Sequence, residues 1–79
     1  MQADDMDFKK ILGLRVSRLR HDAGLTQEAL AARCGIYRTY LSRIEAGMAN
    51  PTILVVAALA VALHVPIDML FRAFEDDEH

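Results

Sequence analysis

The sequence has little of what stabilises or anchors many small proteins. Its single cysteine cannot form an internal disulfide, which excludes a disulfide-stapled scaffold. The longest apolar run, Ile53 to Leu63, has eleven residues and is shorter than the ~18 residues of a membrane span. No apolar run follows a basic segment as it would in a signal peptide. These absences predict a cytoplasmic protein without a membrane partner, and 79 residues predict one domain over 1–79.

Residues for catalysis or metal binding are scattered along the chain rather than clustered. His64 has no cysteine, histidine or acid at metal-ligand spacing. Ser17 and Ser42 have no obvious base, and there is no glycine-rich phosphate loop and no pair of carboxylates in a pocket-sized context. Cys34 is interpreted as a covered structural thiol, because a redox sensor needs an exposed, electropositive site. We therefore predict no enzymatic activity, no catalytic residue, no metal and no cofactor.

The net charge of −2 hides an uneven distribution of charge along the chain. Between Phe8 and Arg72 lie all nine Lys and Arg but only four acids, a surplus of five positive charges, and the other seven acids lie at the ends. A basic body of this kind is compatible with a phosphate-binding surface if the acidic ends point away from it. The ends, 1–7 and 75–79, are predicted to be solubilising tails outside the helical core.

Apolar periodicity and capping residues divide the body into five predicted helices. Apolar residues share one face from Phe8 to Ala23, which indicates an amphipathic first helix. Thr26 suits the N-cap of a second helix that starts at Gln27. The other predicted helices are Arg38 to Ala46, Ile53 to Leu63 behind the capping residue Thr52, and a short last helix behind Pro66.

The stretch from Gln27 to Gly47 fits two short helices joined at a glycine. Gly35 can adopt the positive φ of a tight turn, and Ala31 is small enough to let the next helix cross closely. The offsets between the apolar, small and glycine positions are those of a helix-turn-helix. The residues that fill its structural positions are Gln27, Leu30, Ala31, Gly35, Ile36, Leu41 and Ile44.

The outward face of the second of these two helices is cationic. At about 100° per residue, Leu41 and Ile44 fall on one side of it. Arginines combined with Thr and Ser suit base and phosphate contacts better than a generic solvated surface does. This face therefore predicts that the helix lies in a groove of double-stranded DNA. The residues on it are Arg38, Thr39, Ser42, Arg43 and Ala46, with no acid among them.

Several motifs of the chain resemble the Cro/repressor-like, or lambda-repressor-like, helix-turn-helix family of bacterial and phage transcription regulators. The resemblance covers Leu12 to Phe71 and rests on LRHDAGLTQEALAARCGI, YLSRIEAG, NPT and VPIDMLF. The segment RTYLSRIE with NPT behind it is most similar to the controller proteins of restriction–modification systems. The resemblance implies a compact all-α domain of five helices, with the helix-turn-helix at helices 2 and 3. It also implies a homodimer that binds a palindromic operator.

The resemblance implies roles for single residues as well. Gln27 would touch a phosphate, Tyr40 would reach the DNA backbone, and Arg20 would pair with Glu45 inside the domain. The side chains implied to face base edges are Arg38, Thr39 and Arg43. The complete set of predicted DNA-contact residues is Gln27, Tyr37, Arg38, Thr39, Tyr40, Ser42, Arg43 and Asn50.

Two places depart from the family pattern. Tyr37 stands where relatives usually carry a small capping residue, so the third helix lacks a side-chain cap and offers an aromatic ring to DNA or to a neighbouring helix. Met48 and Ala49 occupy a turn where relatives commonly carry Lys or Arg, which removes two phosphate contacts. Asn50 and main-chain N–H groups are then left to position this loop.

The fourth predicted helix contains no polar residue, and a core of this size cannot cover all of its sides. A second subunit can cover the surplus, which predicts a homodimer joined through the fourth and fifth helices. The stripe assigned to the subunit's own core is Val56, Leu59, Ala60 and Leu63. The predicted dimer interface is Val55, Ala58, Val61, Ala62, Ile67 and Phe74.

Two other functions are compatible with the same residues. An antitoxin of a toxin–antitoxin pair would bind similar DNA and would also cover a toxin. A protein-interaction module would use the apolar fourth helix on a larger partner and leave the basic face unused; a contact with polymerase is compatible as well. The acid-free face of the third helix favours the DNA-binding regulator over the interaction module.

Overall fold

The computed structural model describes residues 7–72, and every regular element in this range is a helix. The described part contains no helix that is both long and apolar enough to cross a bilayer. The elements are α1 (Phe8–Asp22), α2 (Gln27–Cys34), α3 (Arg38–Glu45), α4 (Ile53–Leu63) and a 3-10 helix (Ile67–Phe71).

The predicted fifth α-helix is not confirmed, because the segment behind Pro66 forms the 3-10 helix instead. The amide of Met69 donates to the carbonyl of Pro66 at 3.0 Å, which is the tight i to i+3 bond of that conformation. No side chain caps the segment, and Arg72 is already extended at φ −79° and ψ 135°. Five residues between a proline and an extended residue leave little room for α-helical hydrogen bonds.

Side-chain caps fix where three of the helices begin. The Asp7 carboxylate accepts from the amide of Lys10 at 3.2 Å at the start of α1. Thr26 and Thr52 cap α2 and α4 through their hydroxyl oxygens, at 3.0 and 3.3 Å, as the sequence predicted. Of the two predicted tails, only Asp7 lies within the described residues, and it serves as a helix cap.

The core lies where α1 packs on α3 and on the 3-10 helix, and where α2 packs on α3 and α4. The predicted α4 stripe is confirmed, with its four residues at most 7% exposed. The predicted face of α1 is too long: Phe8 is 52% exposed and Ala23 is exposed as well, because they lie at the two ends of the helix. The largest fully buried side chains are Leu30, Leu41, Ile44, Leu59, Leu70 and Val16.

Gly13 brings the backbones of α1 and α3 together. A Cβ at this position would lie 2.5 Å from the carbonyl oxygen of Ile44 and 2.7 Å from that of Glu45. Both are backbone atoms, which cannot turn aside as a flexible side chain can. The last turn of α3 therefore rests directly on the backbone of α1.

Two further features go beyond the sequence analysis: the burial of Arg15, and the left-handed conformation of His64, which the sequence indicates only as a helix-end residue. Arg15 is only 4% exposed, and its Nε donates to the carbonyl oxygen of Met69 at 3.2 Å, which ties α1 to the 3-10 helix. His64 ends α4 in the left-handed conformation at φ 59°, where glycine is the commoner residue. The short last helix is thus attached by a buried guanidinium and follows a sharp turn at His64.

Candidate nucleic-acid interface

The turn between α2 and α3 has the geometry that the sequence predicted. Gly35 adopts φ 69° and ψ 29°, the left-handed conformation. Its amide and that of Ile36 donate to the carbonyls of Ala32 and Ala31 at 3.3 and 3.0 Å, which closes the end of α2. Ile36 packs on the core, and Cys34 before the glycine is half-buried, with its thiol pKa raised by burial. A tight, well-bonded corner therefore fixes the angle at which α3 leaves α2.

The two sides of α3 differ as its periodicity predicted. Leu41 and Ile44 are 0% and 1% exposed and anchor the inner side in the core. Arg38, Thr39 and Arg43 are exposed on the outer side, and Ser42 is half-buried between the two sides. A cationic surface is thus presented to solvent by a helix whose other side is held rigidly.

Glu45, the one acid of α3, is turned inward into a hydrogen-bond network. Its carboxylate accepts from Nε and Nη2 of Arg20 at 2.6 and 3.0 Å, so the predicted ion pair is present. Arg20 also donates from Nη1 to the carbonyl of Leu25 at 2.9 Å. The hydrogen bonds that Arg20 donates to Glu45 raise the pKa of Arg20, burial opposes this effect, and direct charge attraction to Glu45 adds to it. The network joins α1 to α3 and neutralises an acid that would repel DNA.

Gln27 belongs to the same network. Its Nε2 donates to the Glu45 carboxylate at 3.0 Å, which holds the side chain at the start of α2 in one place. An open polar cleft of about 520 Å³ lies beside it and joins the start of α2 to the start of α3. Gln27 and Arg38 both line this cleft. Glu28 lines it as well and adds an acidic side chain. The cleft is lined by Arg20, Thr26, Gln27, Glu28 and Arg38.

The two tyrosines near the start of α3 have different surroundings. Tyr37 occupies the N-cap position, makes no side-chain capping hydrogen bond and is 84% exposed. Its ring is therefore available to a ligand, as the departure from the family pattern suggested. Tyr40 is half-buried and packs against the core, so only part of it can contact DNA.

The loop after α3 is bound by Arg43, a cation of the helix itself. Arg43 reaches along the end of its helix, and its Nη2 donates to the carbonyl of Met48 at 3.1 Å. Met48 is 66% exposed, whereas Ala49 is buried. Asn50 is exposed, but it borders an apolar cavity of about 240 Å³ with Phe8 and other residues rather than the polar cleft beside α3. Of the predicted DNA-contact residues, seven lie from the start of α2 to the end of α3 and Asn50 lies in the loop behind α3, and their contact with DNA stays a prediction.

The apolar surplus of α4 is distributed differently from the predicted dimer interface. Leu54 and Val61 are 79% and 74% exposed and lie seven residues apart, on one face of the helix. Leu54 was not among the predicted interface residues, although this spacing could have identified it. Val55 and Ala62 are half-buried against the subunit's own core, Ala58 is half-buried, Ile67 is 40% exposed, and Phe74 lies outside the described residues.

Comparisons with known proteins agree on one family. A family model described as a helix-turn-helix domain matches residues 11–72. An uncharacterized HTH-type transcriptional regulator of Sinorhizobium fredii, y4dJ, is 47% identical over 60 residues, which cover 76% of this chain and 78% of the relative. The control protein C.SmaI of Serratia marcescens is 37% identical over 65 residues, which cover 82% of this chain and 77% of that protein.

Solved structures agree with the sequence comparisons. The restriction-modification controller protein C.AhdI from Aeromonas hydrophila superposes with a TM-score of 0.77 at 35% identity, over 80% of this chain and 96% of that one. The biofilm regulator SinR, solved in complex with DNA, superposes with a TM-score of 0.73 at 29% identity, over 77% of this chain and 98% of that one. The chain therefore belongs to the helix-turn-helix family of transcription regulators, and its homologues include restriction–modification control proteins.

Proposed function

We propose that this protein binds a palindromic operator as a homodimer and regulates transcription in the cytoplasm, without catalysing a reaction. The observation that carries the proposal is the exposed cationic side of α3, whose inner side is fixed by Leu41, Ile44 and Glu45. The likeness to SinR, which was solved with DNA, supports duplex DNA as the ligand. The likeness to C.SmaI and C.AhdI supports a role as the control protein of a restriction–modification system.

The dimensions of α3 suit the major groove. An α-helix with its side chains is about 10–12 Å across, and the major groove, which is about 12 Å wide, admits such a helix. Arg38 at the start of the helix can then reach a base edge, where an arginine binds guanine through two hydrogen bonds. Arg43 near the other end lies towards the flank of the groove, where the sugar–phosphate backbone runs. The two arginines thus divide base reading and phosphate anchoring.

Replacement of these arginines is expected to give two different losses. Arg38→Ala should cost about 1–3 kcal/mol on the operator and relax the preference at one base pair of each half-site. Arg43→Ala should weaken operator and random DNA alike and lower the salt slope by about one unit per subunit, because one phosphate contact is lost. Binding sites selected from random duplexes, followed by titrations at several salt concentrations, measure both effects.

A matched control for the arginine variants is Arg72→Ala. Arg72 directly follows the 3-10 helix, its side chain is 53% exposed, and it pairs with Asp68. Its loss should leave specificity and salt slope as in the wild type. Unchanged binding to operator and random DNA in both Arg38→Ala and Arg43→Ala would refute the assignment of α3 to the groove.

The proposed homodimer interface is the exposed side of α4 around Leu54 and Val61, together with Ile67 of the 3-10 helix, which is 40% exposed. Leu54 and Val61 are both more than 70% exposed on one helix face, and exposing this apolar surface to water costs free energy. A second copy of the chain that packs on this face would cover it. A two-fold axis through this surface would place the two copies of α3 about 34 Å apart, which is one turn of DNA. Half-site centres about ten base pairs apart are therefore expected.

A charge in this interface is expected to separate the subunits. Val61→Glu should raise the dimer dissociation constant at least about 100-fold, since burying an unpaired charge costs about 3 kcal/mol or more. Operator affinity should fall with it, while thermal unfolding of the subunit changes little, because Val61 is 74% exposed. Sedimentation equilibrium over a concentration series measures the dissociation constant.

Leu14→Glu is the matched control for the interface variant, because Leu14 is 52% exposed on α1, where no interface is proposed. It should leave the dissociation constant unchanged. A wild type that stays monomeric at tens of micromolar would contradict the homodimer. The antitoxin alternative would then gain support if a toxin co-purified on the same face of α4.

A reporter assay tests the proposed role as the control protein of a restriction–modification system. A reporter placed behind the region upstream of the protein's own gene should respond to the protein's concentration, and the response should be lost in Arg38→Ala. A neighbouring methyltransferase or endonuclease gene would support the controller role, and a neighbouring toxin gene would support the antitoxin. Absence of any reporter response with the selected operator in place would contradict transcriptional control.

A further inference from the structure

Lys10 in the first turn of α1 lies directly against the loop that follows α3. A Cβ placed on Gly47 would be 3.1 Å from Cγ of Lys10 and 3.2 Å from its Cα. Gly47 adopts φ 75°, and its amide donates to the carbonyl of Ile44 at 3.0 Å, so the contact point is fixed to the end of α3. The stem of Lys10 therefore starts beside the end of α3, although 37 positions separate Lys10 from Gly47 in sequence.

This place lacks positive charge of its own. The loop residues Met48 and Ala49 are uncharged, and Arg43 supplies the one cation anchored there, by its bond to the Met48 carbonyl. Lys10 is exposed, and within residues 7–72 its ammonium group takes part in no ion pair. Lys10 adds a second cation where the loop sequence provides none.

The acids near this position are already engaged. Glu45 is held inward by Arg20 and Gln27. The Asp7 carboxylate caps α1 through the backbone amide of Lys10 at 3.2 Å and offsets part of the local charge. Among residues 7–72, Lys10 and Arg43 together outweigh the Asp7 carboxylate, so the described edge formed by the start of α1 and the loop after α3 is cationic.

We propose that Lys10 binds a backbone phosphate of duplex DNA at the flank of the groove that α3 enters. This inference rests on the proposed function. In a helix-turn-helix, the N-terminal residues of the helix in the groove contact the base edges, so the C-terminal end of α3 lies nearer the phosphates. Lys10 and Arg43 then form one phosphate-binding edge built from residues distant in sequence.

Lys9 provides a close control for this assignment. It is also exposed and carries the same charge one position earlier, which is about 100° away around the helix. Its side chain borders the apolar cavity with Phe8, Asn50 and Phe71. A general electrostatic attraction would depend on Lys9 and Lys10 alike, whereas a specific phosphate contact depends on Lys10.

The experiment compares Lys10→Met with Lys9→Met and Lys10→Arg. Methionine keeps the apolar stem that packs on Gly47 and removes only the charge. Lys10→Met should weaken binding to operator and random duplexes alike, by about three- to tenfold at physiological salt. Its salt slope should fall by about one unit per bound subunit. Lys9→Met and Lys10→Arg should both keep the wild-type slope, and thermal unfolding should confirm that all three variants fold.

The outcomes separate this inference from the proposed function. A wild type that binds no duplex would refute the proposed function itself. A wild type that binds, with Lys10→Met equal to wild type or to Lys9→Met, would overturn the role of Lys10 alone. A change in base preference at one position without a change in salt slope would also overturn it, because that result indicates base reading.

Discussion

Gly13→Ala is expected to destabilise the protein by about 3 kcal/mol, although helix propensity alone predicts a gain of about 1 kcal/mol for alanine inside a helix. The new Cβ would lie 2.5 Å from the Ile44 carbonyl oxygen, so α1 and α3 must move apart. The melting temperature should fall by roughly 12 °C or more, since 1 kcal/mol corresponds to about 4–8 °C in a domain of this size. Calorimetry or thermal circular dichroism measures the shift.

Gly24→Ala is the control for the glycine variant. Gly24 has φ 73° but no atom within 4 Å of the added Cβ, so only the cost of the left-handed conformation remains. That cost is about 1–2 kcal/mol. A loss at position 13 no larger than the loss at position 24 would show that α1 and α3 do not touch as closely as described.

Glu45→Ala is expected to cost about 3–5 kcal/mol, because it leaves the buried guanidinium of Arg20 without its counter-charge. The two side chains are 10% and 7% exposed, so water cannot replace the lost carboxylate. Gln27 loses its acceptor in the same step. The raised pKa of Arg20 lies far above neutral pH, so its guanidinium is charged at both pH 6 and pH 8, and the stability it contributes is lost only as pH rises through that pKa. The loss in free energy of unfolding caused by Glu45→Ala, measured by urea unfolding, should therefore be the same at pH 6 and pH 8.

Asp68→Ala is the matched control for Glu45→Ala. It breaks the ion pair between Asp68 and Arg72, whose side chains are 65% and 53% exposed. Exposed pairs contribute about 0–1 kcal/mol, so this variant should unfold close to the wild-type midpoint. Equal effects of the two substitutions would contradict a structural role for the Glu45 network.

Periodicity and caps were sufficient to predict most of the helical frame. Thr26 and Thr52 mark the starts of α2 and α4, since their hydroxyls satisfy amides that the helix leaves unbonded. The inward positions of Leu41 and Ile44 follow from their spacing, because a rotation of about 100° per residue puts them on one face of the helix. The ion pair between Arg20 and Glu45 was predicted too, because its two residues match the family motif and an acid beside DNA needs a partner.

Features that depend on the packing of distant segments could not be predicted in this way. In the sequence, Gly13 is only a residue of low helix propensity. Its role becomes clear in the structure, where the carbonyls of α3 lie against it. Arg15 looks like a solvated cation, whereas its guanidinium reaches the Met69 carbonyl 54 positions later. The phosphate-binding edge proposed for Lys10 is missed for the same reason, because neither α1 nor the loop after α3 reveals their contact. The choice between an α-helix and a 3-10 helix behind Pro66 depends on a few bonds that periodicity does not resolve.

The inner and outer sides of α3 use separate sets of residues, and this separation affects how the protein can evolve. The residues that attach α3 to the core are Leu41, Ile44 and Glu45. The exposed residues Arg38, Thr39 and Arg43 are different ones. Substitutions on the outer side therefore alter few core contacts, and most variants of a library randomised there should fold. Under the proposed function, a lineage could acquire a new operator through a few changes on the outer side, without a compensating change in the interior.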